Sequence, residues 1–212
     1  MYAHVDQDQI DIFHEPARLI FAGFSGSGKS YLLSKLLNKY KHKFSKIIVV
    51  GSNLENVSEV DIVRNDKFDP FEIPIFGHHL VIYDDILMDK NHLSIAAKLF
   101  TKGRHGGHPH SNGSFSVVFI TQNLFHADKN YRSLALNSTG IFLLKQRDLR
   151  QIKTFARTFL EKESVENFVK LYKNIISERY GYVYIDYTKP ADNALALRGN
   201  LAGEGYEIAY KL

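Results

Sequence analysis

The sequence predicts an α/β fold, a mostly parallel sheet covered by helices on both faces, and three observations predict it. Short, continuous apolar runs rich in β-branched residues recur at 46–50, 80–83, 115–121 and 140–144, as strands buried on both sides require. Segments with one-sided helical spacing lie between several of these runs. A glycine-rich stretch, Gly23-Phe24-Ser25-Gly26-Ser27-Gly28-Lys29-Ser30, joins the first apolar run to the first helical segment. Strands that alternate with helices pair in parallel, because each parallel pair needs a crossover long enough to hold a helix.

Taken in order, 18–23 reads as the first strand. The glycine-rich stretch follows, then a helix to about residue 43 with Leu32, Leu33, Leu36, Leu37 and Tyr40 on one side. Lys-Ile-Ile-Val-Val at 46–50 is a buried strand. Residues 52–74 are irregular and charged, and Pro70 and Pro74 break any helix there. Leu80-Val81-Ile82-Tyr83 is a strand ending in Asp84-Asp85. Residues 91–101 suit a helix with Leu93, Ala96, Ala97 and Phe100 on one face, and 102–114 is a loop rich in glycine and histidine. Strands follow at 115–121 and 140–144, helices at 148–159 and 164–176, and a strand at 182–186; beyond it the tail is loop with an edge strand at 207–210. At 212 residues the chain suits one domain, 1–212, with about 182–212 a strand and tail packed on it.

Composition excludes several function classes. The chain has no cysteine, which removes disulfides and thiolate metal sites and fits an intracellular protein. No apolar run approaches the length of a membrane span, so no transmembrane segment is expected. The polar, acidic stretch 1–11 is neither a secretory leader nor an Arg-rich transit sequence. Net charge is only +4, so contact with nucleic acid would depend on local patches.

The glycine-rich stretch fits G-x-x-x-x-G-K-[ST], the phosphate-binding loop, in the strand-then-helix setting that loop needs. Glycines let successive backbone N–H groups turn toward phosphates, and the helix N-terminus adds its dipole. Gly23, Ser25, Gly26, Ser27, Gly28, Lys29, Ser30 and Tyr31 are therefore the nucleotide-binding residues expected, with ATP as ligand. Lys29 reaches the terminal phosphates, and the Ser30 hydroxyl holds Mg2+.

Asp84-Asp85 closes a buried strand, which places carboxylates beside the phosphate loop. Asp84 is assigned to Mg2+ and Asp85 to the base that polarises water; a turn closing the strand is the alternative. Thr121-Gln122-Asn123 ends the strand 115–121; if that strand lies between the first strand and the Asp84 strand, its tip stands beside the terminal phosphate, and a cap on the next turn is the alternative. Gln122 is the better candidate there to sense the terminal phosphate or orient water, and Asn123 the second. Arg104, in Lys102-Gly103-Arg104-His105, reads either as a solvated basic loop or as an arginine reaching a neighbouring subunit's nucleotide. His105, His108 and His110 lack metal-ligand spacing and read as exposed loop histidines. Arg147-Asp148-Leu149-Arg150 combines a helix cap with surface charge, and Tyr180, Tyr182, Tyr184 and Tyr187 read as core and rim with no nucleic-acid role. The class these motifs define is a P-loop NTPase of the RecA/ASCE type.

The same residues resemble the FtsK–HerA-type DNA packaging ATPases of viruses with double-jelly-roll capsids, and within them the poxvirus-type branch found also in virophages and Polinton-like elements. The resemblance runs through nearly the whole chain. It is carried by Gly103-Arg104-His105 followed by the segment 116–125, by Leu144-Lys145-Gln146-Arg147-Asp148 with Gln151, and by Leu197-Arg198-Gly199-Asn200 with Gly203-Glu204. It implies that Arg104 is the finger supplied in trans, Gln122 the sensor, and Asp84 and Asp85 the tandem acids. It also implies a homo-oligomeric ring, a pentamer or hexamer, around double-stranded DNA, with ATP hydrolysis driving a genome into a preformed shell. The implied partners are capsid-vertex or membrane-associated capsid proteins, and the implied location is host cytoplasm, virus factory, nucleus or virion.

Two other readings fit the phosphate loop: a small-molecule kinase with 102–114 as lid, and a slow nucleotide-dependent assembly switch. The sequence has no Asn-Lys-x-Asp guanine signature and no Leu-Ser-Gly-Gly-Gln transporter motif.

Overall fold

Ten strands among the described residues form one sheet: β1 (Tyr2–Val5), β2 (Arg18–Ala22), β3 (Lys46–Gly51), β4 (Ile62–Arg64), β5 (Phe76–Asp84), β6 (Asn112–Thr121), β7 (Gly140–Leu144), β8 (Tyr182–Asp186), β9 (Leu197–Gly199) and β10 (Glu207–Tyr210). Five α-helices accompany them: α1 (Lys29–Tyr40), α2 (Lys90–Lys102), α3 (Lys129–Leu136), α4 (Leu149–Phe159) and α5 (Val165–Ile176). The structure is a computed structural model and describes residues 2–5, 11–13, 16–51, 62–64, 76–102, 112–160, 162–189, 196–202 and 207–210.

The strand order is β1-β10-β9-β8-β7-β2-β6-β5-β3-β4. From β7 to β4 every neighbour is parallel, and from β7 to β1 every neighbour is antiparallel. The side chains of β2 alternate between two cores: Leu19 and Phe21 face α1, while Ile20 and Ala22 face α2 to α5. Both faces are thus covered as the apolar runs require, but unevenly. Leu32, Leu33, Leu36, Leu37 and Tyr40 of α1 fill one side together with Ile12 and Phe13, and the other four helices share the opposite side.

This layout positions the site. The chain leaves β2, passes through α1 and returns at β3, beyond β6 and β5, whereas β7 lies on the other flank of β2. The sheet therefore changes winding direction at β2, and ligands of open α/β sheets sit at such points, outside the carboxyl ends of the strands. Strand β6 lies between β2 and β5, which brings the tips of all three together.

Several expectations are corrected. The stretch 52–74 was expected to be irregular throughout, yet β4 pairs in parallel with Ile47 to Val49 of β3; three residues are too few to show a period. The expected loop 102–114 gives up its end to β6, because Asn112 to Phe115 extend the ladder against Phe76 to His79. There both ring nitrogens of His78 bond hydroxyls, Ser114 Oγ at 2.7 Å and Ser116 Oγ at 2.9 Å. Helix α3 carries only two buried residues, Tyr131 and Leu134, so its stripe is too sparse to read. The strand at 207–210 exists but is no edge, since β1 pairs outside it. The tail segment Leu197–Gly199 is also a strand, tied to β8 by the buried pair Arg198 Nη2 to Asp186 Oδ2 at 2.5 Å.

Candidate functional site

The phosphate loop is anchored to both strands that flank β2. Gly23 N–H donates to the Thr121 carbonyl at the end of β6, and Phe24 N–H to the Lys145 carbonyl just past β7, each at 3.1 Å. The β7 end is itself pinned by Tyr172 of α5, whose hydroxyl donates to the Leu144 carbonyl and accepts from Gln146 N–H, both at 2.9 Å. Gly26 and Gly28 take positive φ, 82° and 98°, the left-handed region that suits glycine. Gly28 is the N-cap of α1, with no side-chain cap and no acidic residue in the first turn. By contrast, α3 and α4 begin under Asp128 and Asp148, whose carboxylates accept from Asn130 N–H and Arg150 N–H. The first turn of α1 keeps its free N–H groups and positive dipole end for an external anion.

Ser25, Gly26, Gly28, Lys29, Ser30 and Tyr31 line one cavity of about 290 Å3, shared with Asp84, Asp85, Thr121, Gln122 and Tyr180. Gly23 and Ser27 stand behind it. Gly23 is buried, with the Ser27 hydroxyl against its Cα, so the two contribute backbone and close packing. Lys29 Nζ bends back to donate to the Gly23 carbonyl at 2.6 Å and the Phe24 carbonyl at 3.0 Å. Burial lowers its pKa, against the raising influence of Asp84 and Asp85.

Asp84 ends β5 and is 7% exposed. Burial raises its pKa, the neighbouring Asp85 raises it further, and Lys29 partly opposes them. Desolvation prevails for both Lys29 and Asp84, so each charge is incompletely compensated by the other. Asp85 is exposed and takes φ 55°, turning its carboxylate out of the strand. Gln122 Nε2 reaches Asp85 Oδ2 at 3.5 Å, which joins the strand-tip amide to the second acid. Asn123, the second candidate, lies apart: it lines a neighbouring cavity of about 130 Å3 with Phe24, Gln146, Arg147 and Gln151, to which Gln122 also contributes. Arg104 and the histidines at 105, 108 and 110 lie outside the described residues. Among the described residues no group of histidine and carboxylate side chains could hold a metal by itself, and no helix is long and apolar enough to cross a membrane.

Oxygen donors of the kind magnesium prefers, the Ser30 hydroxyl and the Asp84 carboxylate, face the same cavity as the loop. A carboxylate whose charge is only partly balanced fits such a cation.

Sequence reasoning missed Tyr180. Its ring lies on the phosphate loop, 2.6 Å from where a Cβ on Gly28 would sit, and its φ of 62° is left-handed. Nothing local signals this contact, because it depends on α5 delivering the turn before β8 to the loop. Gln146, Arg147 and Gln151, which carry part of the family resemblance, line that neighbouring cavity together with Gln122.

Fold and site together define the class: an α/β fold of the P-loop kind, with its loop, strand-end acids and strand-tip amide around one cavity. The fold is shared with particular solved proteins. The genome packaging NTPase B204 from Sulfolobus turreted icosahedral virus 2, in complex with AMPPCP, is similar at a TM-score of 0.56 and 16% identity, over 93% of this chain and 100% of that one. Its AMP complex is similar at 0.53 and 18% identity, over 82% and 94%. B204, the DNA-packaging ATPase from Sulfolobus turreted icosahedral virus, is similar at 0.53 and 14% identity, over 93% and 98%. No protein-family model matches the sequence, and no curated protein matches it either.

Proposed function

We propose that the chain is the ATPase of a viral genome packaging motor, a single-domain subunit of a ring that hydrolyses ATP to drive double-stranded DNA into a preformed capsid. The observation that carries this reading is the convergence of Lys29, Asp84, Asp85 and Gln122 on one cavity within a fold shared with nucleotide-bound packaging NTPases.

In this reading the loop N–H groups and Lys29 bind the phosphates, with Lys29 leaving the carbonyls of Gly23 and Phe24 for them. Ser30 and Asp84 would hold a magnesium ion, which would supply charge neutralisation on the phosphates. Asp85 accepts the proton of the attacking water. Gln122, bonded to Asp85, orients that water and registers the terminal phosphate. Arg104 of an adjacent subunit stabilises the transition-state charge, which is worth about three decades of rate or more.

The test is phosphate release with and without linear duplex DNA. Wild-type protein should be stimulated by DNA, and Asp85→Asn should bind ATP yet stall, since it keeps size and loses the base. Turnover that needs a small-molecule acceptor would make the chain a kinase. Normal turnover in Asp85→Asn would return that residue to a structural turn.

A further inference from the structure

Two groups of side chains line the cavity. Lys29, Asp84, Asp85 and Gln122 interact with one another, and two tyrosine rings, Tyr31 and Tyr180, pack together. A triphosphate whose terminal group lies at Lys29 runs along the first turn of α1. Its nucleoside then leaves past Tyr31, one residue beyond Ser30.

Tyr31 is 51% exposed, so its ring is open to a ligand. It belongs to a chain of ring and cation contacts. The Tyr31 and Tyr180 centroids are 4.7 Å apart with planes tilted 31°. The Arg179 guanidinium lies 4.9 Å from the Tyr180 centroid, and its Nη2 donates to Tyr180 Oη at 3.2 Å. The Lys35 ammonium, one helical turn after Tyr31, lies 5.9 Å from the Tyr31 centroid. That last layer is the weakest, because about 6 Å is the limit of cation–π attraction and Lys35 is an exposed, flexible side chain.

The Tyr180 layer is fixed. Tyr180 is packed on Gly28 and held at positive φ, a conformation unfavourable for an aromatic residue. The turn that carries it is closed by Glu178 N–H to the Ile175 carbonyl and Gly181 N–H to the Glu178 carbonyl, both at 3.2 Å.

We propose that Tyr31 is the seat of the nucleotide base, a purine stacked by its π face in place of the Lys35 layer, and that Tyr180, backed by Arg179, is the positioning residue that holds Tyr31 for it. The proposal rests on the phosphate-loop reading and adds the base subsite to it. Recognition by the face of the base gives affinity with little demand on the groups at its edge.

The experiment compares two probes by calorimetry in the presence of magnesium, a non-hydrolysable ATP analogue and inorganic tripolyphosphate. Tyr31→Ala and Tyr180→Ala should each weaken the analogue about tenfold or more, the range of base stacking measured by alanine substitution, and leave tripolyphosphate unchanged. Tyr31→Phe and Tyr180→Phe should keep both affinities. The chain has no tryptophan, so Tyr31→Trp introduces a lone indole whose fluorescence the analogue should quench and tripolyphosphate should not.

Equal weakening of both probes by the alanine variants would make the tyrosines props for the loop and overturn the proposal. So would a wild-type protein that binds tripolyphosphate as tightly as the analogue, although the phosphate-loop reading would survive. Wild-type protein that binds neither probe overturns both.

Discussion

At Asp84 the fold tolerates an unfavourable ionisation for the sake of its site. Burial lifts its folded pKa above the ordinary aspartate value of 3.8. Below that value the residue is protonated in folded and unfolded chains alike, and the cost vanishes. As pH rises from there through the folded value, the unfolded chain gives up its proton more readily and the folded state loses stability; above the folded value the cost is constant. Asp84→Asn removes the ionisation, so it should melt at a higher temperature than wild type at neutral pH while losing magnesium-dependent activity. Melting curves from neutral pH down to about pH 4 should show the gap close. A gap that stays constant, or a less stable variant at neutral pH, would mean that Asp84 supports the fold. The motif residues were legible because their chemistry demands both residue type and spacing: Gly26 and Gly28 occupy left-handed positions, and Lys29, Ser30, Asp84 and Asp85 share the cavity. Tyr180 was not legible, because an aromatic beside a glycine in a turn gives no sign of the distant loop on which it packs.

At the scale of elements, strands and helices that bury a full apolar face were readable, and those held by a few pairings were not. Strands β2, β3, β5, β6, β7 and β8 each carry a run of buried residues, and α1, α4 and α5 carry clear stripes. Strands β1, β4 and β9 have three or four residues apiece and exist through their neighbours' ladders. Strand β9 also depends on one ion pair. Arg198 is 4% exposed and its partner Asp186 7% exposed, and Asp186 accepts in addition from Thr188 N–H and Oγ. Arg198→Ala would leave a buried carboxylate without its cation, a change that costs about 3–5 kcal/mol in comparable settings. Urea denaturation should show a loss of that order. A loss below about 1 kcal/mol, the worth of an exposed pair, would show that β9 and β10 pack on the sheet without it.

For the whole molecule, a parallel sheet carries the candidate site, and an antiparallel extension built from both ends of the described chain, β8, β9, β10 and β1, continues from β7. The net charge of +4 provides no strong global attraction to DNA, so a translocase of this composition must grip backbone phosphates through local clusters of Lys and Arg. Binding to duplex DNA should therefore fall steeply with salt and ignore sequence, which a filter-binding titration across salt concentrations would show. A flat salt response or a preference for one short sequence would indicate a regulator.

A motor that moves along DNA on ATP should strip a third strand from a linear triplex as it advances. The full chain, assembled on duplex DNA with magnesium, should release the third strand when ATP is added. It should fail to do so with a non-hydrolysable analogue, and Lys29→Ala should fail with ATP because it lacks the charge that holds the phosphates. Hydrolysis of ATP at saturating protein with the third strand left in place would mean that turnover is not coupled to movement along DNA.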